Sequence, residues 1–428
     1  MNDQDNNKSS FSERRRQFVR SYRERRKAFT DARKEKMKGV RGSISKAAKP
    51  ISGPWKKLRN TIDKNRKISY PILMILGLAV AAWLPFLSEM EGVPLWLQRA
   101  TSSGALFSVA LFTLFALGLN VVVGFAGLLD LGYVAFWAIG SYTAAILTGA
   151  QAYSEALQKG ADFTQVSDPG WSMWMWGIIL VALLISVIAG VILGSPTLRL
   201  RGDYLAIVTL GFGEIVRIFA NNDFLGITGG PRGVNSIPHP ELHLGPIDLV
   251  WGVLTDKKYY HLLLVFVALW IIAIKMLDNS RIGRAWVAIR EDEIAAASMG
   301  VPIVRMKLAA FAIGACTAGV GGVIYAEQVN FINPPTFDLL QSILILSAVV
   351  IGGMGSVMGS ILGATAIVLL PEVFRGLKDY RFFVFGAALV IIMMFRPQGI
   401  LPSKRRKAEL TGGATRDEQL FEAAHTGE

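Results

Sequence analysis

Cysteine is almost absent: Cys316 stands alone in 428 residues, so no disulfide can close within the chain. It lies in an apolar stretch beside Gly314 and Gly319 and reads as a small packing residue. Histidine is scarce too, at four residues. His239 and His243 flank Glu241, but Pro238 and Pro240 disfavour the helix that would align them, so loop histidines are expected rather than metal ligands. Phosphate-binding motifs are missing. No G-x-x-x-x-G-K-[ST] loop occurs, which excludes a Walker-type ATP site, and the glycines from Gly353 to Gly359 lack the spacing and βαβ context of a dinucleotide fingerprint. No Ser/His pair or metal-ligand cluster falls in the apolar stretches, so neither an enzyme nor a cofactor is expected.

Charge is thin as well. Only 18% of residues are Asp, Glu, Lys or Arg, against about 25% in soluble domains. The chain is instead 52% hydrophobic, with a mean hydropathy of +0.41. Its apolar residues gather into runs long enough to cross about 30 Å of hydrocarbon as a helix, which takes roughly 20 residues. The expectation is an all-α polytopic membrane protein of about ten transmembrane helices. The candidate spans are Tyr70 to Leu87, Ser102 to Val123, Leu128 to Gly149, Trp171 to Leu193, Tyr204 to Ala220, His261 to Met276, Leu308 to Tyr325, Phe337 to Gly353, Val357 to Phe374 and Phe382 to Phe395. The last three are short or interrupted by glycine, so eight or nine spans, or re-entrant segments, stay open.

The formal charge of +13 comes from the front of the chain: residues 1–68 hold 22 of the 45 Lys and Arg but 7 of the 32 Asp and Glu. Within this tail Phe11, Phe18, Tyr22 and Phe29 share one helical face among basic residues, the pattern of an interfacial helix. Such a tail could bind nucleic acid or anionic lipid; the apolar domain that follows favours lipid. The charged start also makes a cleaved signal peptide unexpected. Three regions result: a basic cytoplasmic tail over 1–68, a transmembrane domain over 69–402, and a polar cytoplasmic tail over 403–428. Both termini inside puts 36 of the 45 Lys and Arg on the cytoplasmic side. Arg375, Lys378 and Arg381 conflict locally with that arrangement, since they fall outside.

Ionisable residues inside spans are functional candidates. Glu214 and Arg217, three apart in the fifth span, can pair on one helix face, either as a structural pair near the outer interface or as part of a solute path. Asp130 and Asp203 sit near expected cytoplasmic ends, where solvation is the simpler account. Small residues at helix-contact spacing, including Gly355, Gly359 and Gly363, read as packing sites.

A cytoplasmic segment near 280–305 carries the most information. Glu291, Asp292 and Glu293 open a run of helix formers, suited to the positive end of a helix dipole, and Gly300 followed by Pro302 closes it. A short, bounded helix between two spans is expected, either to dock a soluble partner or merely to connect.

The stretch from Arg290 through Glu291, Asp292, Glu293, Ala295 and Ala296 to Gly300 resembles the cytoplasmic loop of LivM-type permeases of branched-chain amino acid ABC importers, a variant of the EAA loop that docks their ATPases. The similarity extends to Leu200–Leu205, Gly213–Arg217, Thr228–Gly233, Gly352–Gly355 and Arg396–Ile400, covering roughly Phe112 to Pro402. Two departures stand out. Ala297 replaces an acidic residue expected in many relatives, and Ile294 stands where the general EAA pattern has glutamate. The resemblance implies an inner-membrane permease working with a second permease subunit, two ATPase subunits and a periplasmic solute-binding protein. A urea or short-amide permease is the near alternative, and an ion-coupled carrier the more distant one.

Overall fold

The computed structural model describes residues 66–88, 90, 92, 94–150, 175–197, 203–223, 226–237, 241–244, 247–250 and 256–373, with 383, 386–387, 390, 394 and 399–401. The basic tail before Arg66, His239, Arg375, Lys378, Arg381, most of the expected last span and the polar tail after Leu401 lie outside them. The chain divides into two units, Met1–Ala79 and Val80–Glu428. The described part of the first is the opening of helix α1, Arg66–Leu87.

The helices that follow are α2 (Leu95–Ala100), α3 (Ser103–Leu119), continued by a π-helix over Asn120–Phe125, α4 (Tyr133–Leu147), α5 (Met175–Thr197) and α6 (Asp203–Asn221). After short strands β1 (Val234–Asn235), β2 (Glu241–Leu244) and β3 (Ile247–Val250) come α7 (Asp256–Asp278), α8 (Arg281–Glu291), α9 (Glu293–Ser298) and α10 (Ile303–Val329). Strand β4 (Phe331–Ile332), α11 (Leu339–Gly352) and α12 (Val357–Val373) complete the described fold. Among the described residues six helices are long and apolar enough to cross a membrane, and three shorter apolar ones accompany them: Leu76–Leu87, Tyr133–Leu147 and Val357–Glu372.

The core is built on α10, which packs against α5, α4 and α3, while α3 also packs on α7 and α12. Glycines allow this closeness. A Cβ on Gly322 would run into the α4 backbone at Trp137, one on Gly319 into Ser186 of α5, and one on Gly321 into the Phe115 ring of α3. Gly359 and Gly363 of α12 meet the α11 backbone at Gly352 and Ala348 in the same way. These contacts bear out the packing expected of small residues, since helices in lipid associate through close backbone approach.

The expected third span, Leu128 to Gly149, is not one helix. The chain leaves the π-helix at Phe125 and stays non-helical to Gly132, and α4 then runs for 15 residues, about 22 Å. That is shorter than the ~30 Å hydrocarbon layer. Non-helical backbone at such depth is tolerable only inside protein, with its polar groups satisfied. Leu131 N donates to Thr209 Oγ1 at 3.0 Å, Gly132 N to Asp130 Oδ1 at 2.9 Å, and Val134 N to Ser342 Oγ at 3.0 Å. Asp130 is therefore 1% exposed, which overturns the solvated position expected for it.

The molecule has two ends. At one, β1 pairs antiparallel with β4, matching Val234 with Ile332. Beside it Gln328 Nε2 donates to Asp256 Oδ1 at 2.9 Å, and Asn330 closes α10 with φ +59°. At the other lie the π-helix, α8, α9 and the Gly353–Gly355 turn. Ile400 N and Leu401 N bond there to Ile351 O and Gly352 O at 2.7 and 3.0 Å.

Candidate functional site

The segment expected to form one helix from Glu291 is an elbow of two. Ser280 caps α8, accepting from Gly283 N at 3.2 Å, and α8 runs to Glu291. Asp292 then leaves the helix, with φ −155° and ψ 111°, and its Oδ1 accepts from Ile294 N at 2.8 Å and Ala295 N at 3.0 Å. Glu291 thus ends one helix rather than opening the next, and Asp292 is the N-cap of α9. The reason is local: an aspartate side chain competes for backbone N–H groups better outside a helix than within one. Gly300 does close α9, at φ +81°, and an added Cβ there would meet nothing within 4 Å.

The elbow is fixed by buried partners. Trp286, 1% exposed, donates from Nε1 to Met306 O at 2.7 Å, tying α8 to α10. Ala296 is buried, whereas Ala295 faces outward. Glu293 pairs with Lys307 Nζ at 2.8 Å, where Lys307 is 4% and Glu293 28% exposed. Outward from this base α9 and the turn behind it present Ile294, 65% exposed, and Met299, 85% exposed. A salt-bridged foot with an apolar tip is suited to insertion into a groove on another protein.

Arg290 faces the other way. Its Nη1 donates to Gly124 O at 2.6 Å, at the end of the π-helix, and its stem packs against Gly127, which has φ +72°. Asn120, fully buried in the same π-helix, accepts from Gly355 N at 2.8 Å. The elbow, the π-helix and the α11–α12 turn are thereby joined in one run of hydrogen bonds. Sequence reasoning named Arg290 and the Gly352–Gly355 stretch separately but missed Asn120 and Lys307. A lysine one turn into an apolar helix was the available signal.

Glu214 and Arg217 are brought together as expected. Arg217 Nε and Nη2 lie 2.9 and 2.8 Å from Glu214 Oε2. Both side chains lie partly exposed on α6. His243 falls in β2, and among the described residues no group of His, Cys, Asp or Glu could hold a metal ion.

Apolar helices of membrane-crossing length, packed through glycines around a central helix, define a multi-pass membrane protein. Comparison with known proteins narrows that class. Residues 102–393 match the family described as branched-chain amino acid transport system / permease component. The chain is 38% identical over 397 residues to the high-affinity branched-chain amino acid transport system permease protein LivM of Salmonella typhimurium, covering 89% of this chain and 86% of that one. It is 25% identical over 53% of its length to a probable branched-chain amino acid transport permease protein LivM of Methanocaldococcus jannaschii, covering 69% of that protein. It is also 24% identical over 68% of its length to the permease protein LivH of Escherichia coli, covering 91% of it. No solved structure matches the chain. On the family match and the LivM identity together, the chain belongs to the branched-chain amino acid transport permease family.

Proposed function

We propose that this chain is one permease subunit of an ATP-driven importer of branched-chain amino acids in the bacterial inner membrane, with both termini cytoplasmic. It would work beside a second, related permease, two ATPase subunits and a periplasmic binding protein. Similarity to both LivM and LivH supports a pair of related permeases. The observation that carries the docking role is the α8–α9 elbow, whose apolar tip of Ile294 and Met299 stands on the Glu293–Lys307 pair. ATPase closure would push that tip, and Arg290 would pass the movement to the π-helix as a rigid-body shift of packed elements. The chain performs no covalent chemistry itself, and Glu214 and Arg217 belong to the wall of the solute path. The basic tail would rest on anionic lipid of the inner leaflet.

Reconstitution of the permeases with the ATPases and binding protein tests this reading. ATP-dependent uptake of leucine, isoleucine or valine is the expected result. Uptake that persists without the ATPases would identify an ion-gradient carrier instead, and preferential uptake of urea or short amides would reassign the substrate.

A further inference from the structure

From the outward face of α6 we infer a solute-binding site for the zwitterionic head of an amino acid, built on Glu214 and Arg217; it rests on the importer reading above. The face is a stripe. Ile207, Gly211, Glu214 and Ile218 recur at helical spacing, with Arg217 on its edge. Ile207 is 64% and Ile218 50% exposed, and a Cβ on Gly211 would meet nothing within 4 Å. Glu214 lies seven residues and Arg217 four from Asn221 at the end of α6, about 10 and 6 Å along the helix, so the pair sits toward that end of the span. The two side chains remain 34% and 38% exposed.

Tyr204, Val208, Ile215 and Phe219 continue this exposed surface, so the ion pair stands at the edge of a largely apolar face. An ion pair offered to hydrocarbon is costly even when its members touch, so the surface beside it is water or another polar group. The chemistry of the pair then selects the ligand. One carboxylate and one guanidinium, 2.8 Å apart, match an α-ammonium and an α-carboxylate, and the neighbouring Ile207 and Ile218 offer apolar surface to a branched side chain. Arrival of the zwitterion replaces the bond between Glu214 and Arg217 with two bonds to solute, and departure restores it. Because a half-exposed pair is worth little in itself, the exchange is nearly balanced. A site on a conduction path needs that weakness, binding well enough to admit the solute and loosely enough to release it.

The test uses the reconstituted importer in a Cys316→Ser background. Gly211→Cys is probed with a charged, membrane-impermeant thiol reagent, because the bare position accepts a side chain without collision. Val265→Cys on α7, 56% exposed, serves as the lipid-facing control. The expected result is reaction at Gly211→Cys well above the control, slowed several-fold by saturating L-leucine but not by glycerol. The double variant Glu214→Gln/Arg217→Met removes both charges together, so a purely structural pair would leave transport intact. Here leucine uptake should fall at least about tenfold, since both charge-assisted contacts to the zwitterion are lost, with ATP hydrolysis and subunit association retained. Reactivity no greater than the control means lipid or a second permease covers the stripe, and it overturns the inference. Wild-type uptake by the double variant overturns it too. If the wild-type complex imports leucine, either negative result leaves the importer reading standing; absence of ATP-dependent uptake by the wild-type complex sinks that reading itself.

Discussion

Lys307 is a cation with 4% of its side chain exposed, and its charge is tolerable only because Glu293 lies 2.8 Å away. From the sequence alone, Glu293 reads as an acidic residue favouring the start of a helix, a surface effect of about 0.3–1 kcal/mol. The ion pair changes the size and the mechanism of any substitution there. Glu293→Lys would set two cations against each other, and Glu293→Gln would leave Lys307 short of its counter-charge. The expected loss for Glu293→Gln is about 1–3 kcal/mol, below the full cost of breaking a deeply buried pair because Glu293 is partly exposed. It should read out as a lower unfolding midpoint in detergent and weaker co-purification of the ATPases. Lys307→Met added to Glu293→Gln removes the stranded charge and should recover most of the midpoint. If the double variant is no better than the single one, the pair is not what fixes the elbow.

At the scale of elements, the elbow depends on one left-handed residue. Gly300 has φ +81° and no neighbour that an added Cβ would strike, so the cost of a side chain there is conformational, about 1–2 kcal/mol. Asn, which visits this region readily, should be tolerated, while Gly300→Leu should impair transport and leave membrane insertion intact. A transport assay with a membrane-fraction blot separates the two effects; equal uptake by the Leu variant would mean that the exit from α9 is not constrained. Arg290 is the second test. Arg290→Ala removes the charge-assisted bond to Gly124 O, so ATP hydrolysis should persist while uptake per ATP falls several-fold. An unchanged ratio of uptake to hydrolysis would deny the elbow its link to the π-helix. Much of this was legible beforehand, for physical reasons that differ by element. Gly300 and Pro302 mark a helix end through backbone chemistry alone, and the glycines of α10 announce close packing. The break before α4 was read through, because Ala126 to Gly132 sits inside a long apolar run. Gly127 at φ +72°, Asp130 and Gly132 were the available signal, and tertiary partners complete the break, Thr209 and Ser342 accepting from Leu131 N and Val134 N. The ion pair of Glu293 escaped because its partner lies 14 residues away in the next helix.

For the whole molecule, orientation in the membrane follows from the path of the backbone and the placement of the cations. The conflict raised by Arg375, Lys378 and Arg381 can be weighed against the path of the backbone. Helix α12 departs from the Gly353–Gly355 turn, on the side of the elbow, and runs through Val373 toward the opposite end. Ile400 and Leu401 are back beside Ile351 and Gly352, hydrogen-bonded to their carbonyls. The chain therefore returns between Val373 and Ile400, and an interval of 26 residues is long enough for the helical crossing expected over Phe382 to Phe395. Arg375, Lys378 and Arg381 lie outside the described residues, and the even number of spans expected from the sequence puts them on the outer side. Their charge is outweighed by Arg281, Arg284, Arg290 and Arg305 on the elbow side, where short basic loops are the ones that hold orientation. A reporter fused after Leu401 should accordingly share the side of one inserted at Gly300, and both should be cytoplasmic. A reporter inserted in the Asn221 to Tyr260 segment should be periplasmic, because β1 pairs with β4 at the other end of the molecule. A periplasmic signal at the C-terminus would break the even number of crossings and, with it, the placement of the elbow beside a cytoplasmic ATPase.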